Sequence, residues 1–348
     1  MKPEGSVLKG RVAGGAQPRQ RLSVVIPVYR SEKILPELVS RLESLLTAIA
    51  DSFEVILVSD CSPDRSWDVI AGLAREHPWI RAINLMRNYG QHNALLCGIR
   101  EARYDVIVTM DDDLQHPPEE IPKLLAMLAA GYDVVYGTPE HEQHGFGRDF
   151  ASWISKIALQ NVMGAEIARK VSAFRAFRAE VATAFTHYAG AFVSIDVLLT
   201  WGTNRFCLTR VRHEPRKEGV SGYTFLKLVT HAMNMMTGFT TLPLQFASLV
   251  GFAFTLFGIG VLAYVVGRFL WLGGSVPGFP FLASIIAIFS GAQLFALGIM
   301  GEYLARMHFR MMDRPSYVVR ESIGLKDTAA ATADLAVIPG GRHSQLGS

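Results

Sequence analysis

Val106-Ile107-Val108-Thr109-Met110-Asp111-Asp112-Asp113-Leu114-Gln115-His116 runs from β-branched apolar residues straight into three carboxylates. The apolar part fits a strand buried on both faces. Like charges packed at its end repel one another and lose solvation. A hard divalent cation such as Mg2+ or Mn2+ would offset that cost, because it takes oxygen ligands and keeps positions open for phosphate. The alternative is an acidic turn capping a helix that starts near Pro117-Pro118-Glu119-Glu120. For three aspartates alone, both readings stand.

Working upstream, Leu22-Ser23-Val24-Val25-Ile26-Pro27-Val28-Tyr29 reads as another buried strand. Residues 31–50 carry Leu35, Leu38, Val39, Leu42, Leu45, Leu46 and Ile49 at helical spacing. A second strand, residues 53–60, also ends in aspartate and turns through Cys61-Ser62-Pro63-Asp64 into a helix over 66–77. A strand over 80–85, a helix over 91–102 and the strand over 105–110 follow. A helix over 118–130 and a strand over 133–136 complete the alternation. Such alternation predicts an α/β fold, a mostly parallel sheet with helices on both faces. Ligands on such sheets bind beyond the carboxyl ends of the strands, where Asp60 and Asp111 to Asp113 both fall. Val28-Tyr29-Arg30-Ser31 is neither a dinucleotide-binding fingerprint nor a phosphate loop. Phosphate charge must therefore be met by metal and basic side chains.

Downstream, residues 139–148 are polar and His/Gly rich, a loop beside the site. Helices over 151–163 and 179–188, a stretch over 193–201 and a strand over 205–212 follow. The basic segment Arg216-Lys217-Glu218-Gly219-Val220-Ser221-Gly222-Tyr223 comes next. No Asp, Glu, Lys or Arg lies between Lys227 and Arg268. Two uncharged runs, residues 244–266 and 281–300, are each long enough to cross a bilayer, for which about 20 apolar residues suffice. Two buried helices of a soluble core are the competing reading. Arg216, Lys217 and Lys227 flank one end of the pair, Arg306, Arg310, Arg314 and Arg320 the other. The positive-inside rule then puts the sheet domain and the C-terminus on the cytoplasmic side of the inner membrane. The implied division is a tail (1–20), a catalytic domain (21–222), an interfacial amphipathic helix (223–243), a transmembrane hairpin (244–305), a cytoplasmic arm (306–325) and a second tail (326–348).

Composition agrees with that division. Half of the 348 residues are hydrophobic, and the net charge of +3 is too weak to argue for nucleic acid. Mean hydropathy is +0.23, high for a soluble enzyme. Cys61, Cys97 and Cys207 are widely spaced and odd in number, which fits a reduced compartment and no disulfide framework.

In this order the pieces resemble the family 2 glycosyltransferases of the GT-A fold. More narrowly, they resemble the polyprenyl-phosphate sugar transferases related to dolichol-phosphate mannose synthase, including bacterial members that use undecaprenyl phosphate. The likeness runs from about residue 22 to 320. It is carried by Ile26-Pro27-Val28-Tyr29, Val58-Ser59-Asp60-Cys61-Ser62-Pro63-Asp64, Arg87-Asn88-Tyr89-Gly90-Gln91, the Asp111 to Pro118 stretch, Ser172-Ala173-Phe174-Arg175 and Arg216 to Tyr223.

The resemblance implies a nucleotide-sugar donor, UDP-linked, and a polyprenyl phosphate acceptor. Pro27, Tyr29 and Asp60 would cradle base and ribose, with Arg87 among the donor residues. Asp111, Asp113 and Gln115 would surround Mg2+ or Mn2+ at the donor's diphosphate. Asp112 would touch the donor or hold the loop, and Arg175 would lie near donor phosphates or sugar. Arg216, Lys217, Ser221 and Tyr223 would meet the acceptor phosphate. The family usually has Asn-Glu after the tyrosine; here Arg30-Ser31 follows, and Glu32 is the candidate for the acidic role. Membrane-bound homo-oligomers, tetramers among them, are also implied.

The chemistry suits such residues. Metal and arginine stabilise the leaving nucleoside diphosphate, and an acceptor phosphate, already anionic, needs no strong base. His116 suits a loop or supporting role better than an oxygen-ligand metal site, and His92 suits a helix start. Asp196 reads equally as a site or capping residue. Trp153 and Trp201 read as core or interface aromatics. Three rivals remain: a processive polysaccharide synthase, which would need more crossings and a Gln-x-x-Arg-Trp motif; a nucleotide-sugar binding or scaffold protein without turnover; and a nucleotidyltransferase.

Overall fold

Continuous apolar runs place their strands at the centre of a sheet, since neither face can turn to water. In the computed structural model, which describes residues 20–139, 170–190, 193–214, 242–272, 278–312 and 314–325, that rule sorts eight strands. The central ones are β1 (Gln20–Val28), β2 (Ala50–Ser59) and β4 (Val106–Thr109), with β3 (Ile80–Leu85) beside β2. β5 (Val134–Pro139), β6 (Arg175–Arg178), β7 (Phe206–Val211) and β8 (Val319–Ile323) complete the order β7-β5-β6-β4-β1-β2-β3-β8. Val24, Val25 and Ile26 of β1, Val55 to Val58 of β2 and Val108 of β4 have no exposed surface.

β1 pairs in parallel with β2 and β4, and β2 with β3, so direction is uniform across these four strands, and the acidic ends of β2 and β4 fall on the same edge of the sheet. β6 runs antiparallel to both β4 and β5, and β8 antiparallel to β3; the sheet is mostly parallel. Helices α1 (Leu35–Ile49), α2 (Ser66–Glu76) and α4 (Ile121–Ala129) cover one face, where Leu38, Leu42, Ile70 and Leu124 join one buried cluster. Helices α3 (Gln91–Glu101), α5 (Ala179–Ala182) and α6 (Ile195–Gly202) cover the other, around Leu95, Val181 and Leu198. At Gly98 a methyl group would overlap Val25, so α3 approaches the sheet this closely only through glycine. The chain leaves β1 toward β2 on one side, while β4 lies on the other. The crevice outside these carboxyl ends is the switch point where such sheets bind ligands.

Elements differ from expectation mainly at their ends. The helix expected over 31–50 begins at Leu35, because Ser31 accepts the Ile34 and Leu35 amides in a preceding turn. The helix expected over 118–130 opens as a 3-10 turn, Pro118–Glu120, before α4. The helix expected over 179–188 is shorter, passing from α5 into a 3-10 turn at Thr183–Phe185. The expected helix over 151–163 and the interfacial helix lie outside the described residues.

Two long helices follow, α7 (Leu242–Leu272) and α8 (Phe279–Met311). Leu244–Arg268 and Ile288–Ala305 are apolar and long enough to cross a membrane, and among their described residues only Ala247 is buried in the protein. That exposure argues against the soluble-core reading. The pair meets through Phe254 and Phe289, with ring centroids 5.7 Å apart. Arg268 donates to the Tyr264 hydroxyl one turn away (3.2 Å), in keeping with a charged end reaching for polar surroundings. Beyond α8 the arm expected over 306–325 contains β8, which returns to the catalytic sheet: the Met86 amide donates to the Val318 carbonyl (2.9 Å).

Candidate active site

Among the described residues, three non-glycine residues adopt left-handed backbone: Arg30 (φ 60), Cys61 (φ 52) and Leu114 (φ 57). They follow the carboxyl ends of β1, β2 and β4 in turn. Each such residue costs about 1–3 kcal/mol, which persists only where surrounding contacts impose it. Here they do. The Arg30 amide donates to Ser62 Oγ (2.8 Å) and the Asp60 amide to the Val28 carbonyl (3.0 Å), tying the β1 and β2 ends together. The Tyr29 amide donates to Asp112 (3.1 Å), as does the Ser31 hydroxyl (2.5 Å), tying the β1 end to the acidic loop.

The residues expected to hold the donor lie at or just past the carboxyl ends of β1, β2 and β3, where Pro27 and Asp60 are buried. Pro27 is on β1, opposite Val58. Tyr29 is 43% exposed, its ring 5.4 Å from the Arg30 guanidinium. Asp60 is buried and accepts the Tyr89 (2.7 Å) and Gly90 (2.8 Å) amides. Burial pushes its pKa up while those two amides pull it down; the net shift is upward. Its carboxylate holds the loop in which Arg87 lies over the Tyr89 ring, 4.6 Å from its centroid. Glu32, the candidate for the family's acidic residue, accepts the Arg65 amide (2.9 Å) at the start of α2.

In the acidic loop, each aspartate has a distinct partner. Asp111 accepts from the Gln91 amide nitrogen (2.6 Å) at the start of α3, and Asp113 accepts the backbone amide of Gln115 (3.1 Å). Asp112 accepts from the Ser31 hydroxyl and the Tyr29 amide. Burial lifts its pKa to about 6, against the pull of those two donors. No three His, Cys, Asp or Glu side chains converge on a metal-sized point among the described residues. Asp111, Asp113 and the Gln115 amide still form a donor set suited to Mg2+ or Mn2+. Such ions rest on one or two carboxylates and leave the other positions to phosphate and water. His116 packs between Phe174 (5.3 Å, stacked) and His213 (5.0 Å, edge-on). Burial, then His213, lowers its pKa to about 4, against the opposing pull of Asp113, so it is neutral at physiological pH.

Arg175 is 1% exposed and held by polar partners inside the protein. Its Nε donates to Thr109 Oγ1 (3.0 Å) and its Nη1 to Asp196; the Tyr136 hydroxyl donates to the same Asp196 oxygen (3.1 Å). A buried guanidinium requires such a carboxylate, which gives Asp196 its place. Thr109 lies two residues before Asp111, so this network braces the base of the acidic loop. Sequence reasoning missed Ser31 and Gln91 as supports of the aspartates. Ser31, which stands where the family's Asn-Glu has its glutamate, was the available signal.

The acceptor residues Arg216, Lys217, Ser221 and Tyr223 lie outside the described residues. The chain that leads to them does not. The Glu214 amide donates to the Gln115 carbonyl (2.8 Å), joining the exit of β7 to the acidic loop.

Residues 23–185 match the family described as glycosyl transferase family 2. The chain is 35% identical over 307 residues to the undecaprenyl-phosphate 4-deoxy-4-formamido-L-arabinose transferase of Pectobacterium carotovorum, covering 87% of this chain and 94% of that protein. It is 35% identical over 324 residues to the enzyme of the same name from Pseudomonas paraeruginosa, covering 91% and 94%. Among solved structures, glucosyl-3-phosphoglycerate synthase from Mycobacterium tuberculosis, in complex with Mn2+, UDP and glucosyl-3-phosphoglycerate, aligns with a TM-score of 0.48 at 15% identity. That alignment covers 63% of this chain and 78% of that one.

Proposed function

Given that the chain belongs to glycosyl transferase family 2 and is a glycosyltransferase, we propose that it moves a sugar from a UDP-linked donor to undecaprenyl phosphate at the cytoplasmic face of the inner membrane. The observation that carries this reading is the Glu214–Gln115 bond. It joins the acidic loop, suited to the donor's diphosphate, to a chain that reaches Arg216 two residues later. The names of the relatives supply the acceptor class.

Tyr29 offers an exposed aromatic face to the donor base, and Arg87 adds positive charge just past the end of β3. Asp111, Asp113 and Gln115 would hold Mg2+ or Mn2+, which would neutralise charge developing on the departing nucleoside diphosphate. The acceptor phosphate attacks the anomeric carbon as an anion in one displacement with inversion, so no general base is needed. Arg216 and Lys217 offset repulsion between the two approaching phosphates, and Ser221 and Tyr223 add hydrogen bonds to the acceptor.

The antiparallel pairing of β8 with β3 supports a hairpin whose two ends share one side of the bilayer. The arginines after α8 favour the cytoplasm for that side. The test is nucleoside-diphosphate release from a panel of UDP- and GDP-sugars, with and without undecaprenyl phosphate. One donor released only with the lipid is the expected result. Donor binding without lipid-dependent release across the panel overturns the reading.

A further inference from the structure

We propose that Arg212 and Glu120 form a clamp that fixes residues 212–214, which lead into the acceptor-binding segment, against the donor loop, an inference that rests on the acceptor reading above. The Pro118–Glu120 turn carries two adjacent carboxylates that bind different elements. Glu119 pairs with Arg41 of α1 through two bonds (2.9 and 2.6 Å). Glu120, 3% exposed, accepts from both the backbone amide (3.2 Å) and the Nε (2.8 Å) of Arg212, and from Lys123 (2.5 Å).

Arg212 is the first residue after β7, and its own side chain is 60% exposed. An ion pair with so solvated a partner contributes little to stability. Its geometric effect is larger. With Arg212 fixed on Glu120, His213 lies edge-on to His116 and the Glu214 amide reaches Gln115. Three successive residues are thus laid along the loop that carries Asp111, Asp113 and Gln115, immediately ahead of Arg216. Displacement between two phosphorylated reactants depends on holding them at bonding distance. The clamp sets that relation on the acceptor side without touching either substrate, which makes Arg212 and Glu120 positioning residues.

The test uses the full chain in lipid vesicles with wild type, Arg212→Ala, Arg212→Lys, Glu120→Gln and the Arg212→Ala/Glu120→Gln pair. For Arg212→Ala, donor affinity by calorimetry stays within about twofold, while the KM for undecaprenyl phosphate rises about tenfold. Amide exchange over residues 206–214 quickens about tenfold and is unchanged elsewhere. Arg212→Lys recovers most of the KM, and the double variant is no worse than Arg212→Ala alone, because the two act as a unit. Wild-type KM and exchange in Arg212→Ala overturn the clamp, as does an equal loss of donor affinity. Wild-type turnover that ignores the lipid overturns the acceptor reading instead, and the exchange measurement still decides the clamp.

Discussion

Arg175 and Asp196 meet as a buried pair, with 1% and 18% of their side chains exposed, directly behind the loop of three aspartates. Removing one partner strands the other charge, which typically costs about 3–5 kcal/mol. Arg175→Met and Asp196→Asn are each expected to lower the melting temperature sharply. Arg175→Lys should not rescue, because one ammonium cannot serve Thr109 and Asp196 in the same geometry. Thermal unfolding of the three variants checks this. A donor-contact role for Arg175 would instead leave melting intact and weaken donor binding.

The acidic loop divides labour among its aspartates, and substitution separates the roles. Asp113→Asn should reduce turnover by about 10²–10³-fold with little change in melting, as expected when charge stabilisation at a leaving group is lost. Chelation should have the same effect on wild type, reversed by Mg2+ or Mn2+. Asp112→Ala should reduce stability as well as turnover, since it releases the Tyr29 amide and Ser31 from the loop. Paired melting and turnover measurements distinguish them.

Glu119 and Glu120 supply a pH signature. The hydrogen bond from Arg41 is the main cause holding Glu119 below the ordinary value of 4.5. Burial pushes Glu120 up, but Lys123 and Arg212 outweigh it and its net shift is also downward. A carboxylate depressed in the folded state gives stability that is present above its unfolded pKa and lost as pH falls through the folded one. Wild type should therefore lose stability on acidification below 4.5 more steeply than a Glu119→Gln/Glu120→Gln variant. The two melting curves should converge at low pH, which a pH series of thermal melts would show.

β8 caps the edge of the sheet. It is short, exposed and carries Arg320 and Glu321, features that keep an edge strand from pairing with other chains. Replacing residues 319–323 by a Gly/Ser linker should speed amide exchange in Ile80–Leu85 and promote aggregation. Exchange mass spectrometry and light scattering would report both.

The parallel half of the sheet was legible because it is local: the β1, β2 and β4 runs announce themselves, and each acidic end marks its own strand terminus. β6 and β8 were not legible as strands. Arg175-Ala176-Phe177-Arg178 and Val319-Arg320-Glu321-Ser322-Ile323 are short and charged, and only partners distant in sequence make them strands. The partners of Arg175 and Glu32 were not legible either: Asp196 and the Arg65 amide lie 21 and 33 residues away, and only the fold brings them together.

The most direct measurement of sugar transfer to a polyprenyl phosphate is the passage of radiolabelled sugar from a UDP-linked donor into the organic phase, using the full chain in vesicles containing undecaprenyl phosphate. Label should enter the lipid fraction only with the lipid phosphate and a divalent cation present, and should be lost in Asp113→Asn. Donor cleavage with all the label remaining in water, or transfer unaffected by omitting the lipid phosphate, would contradict it.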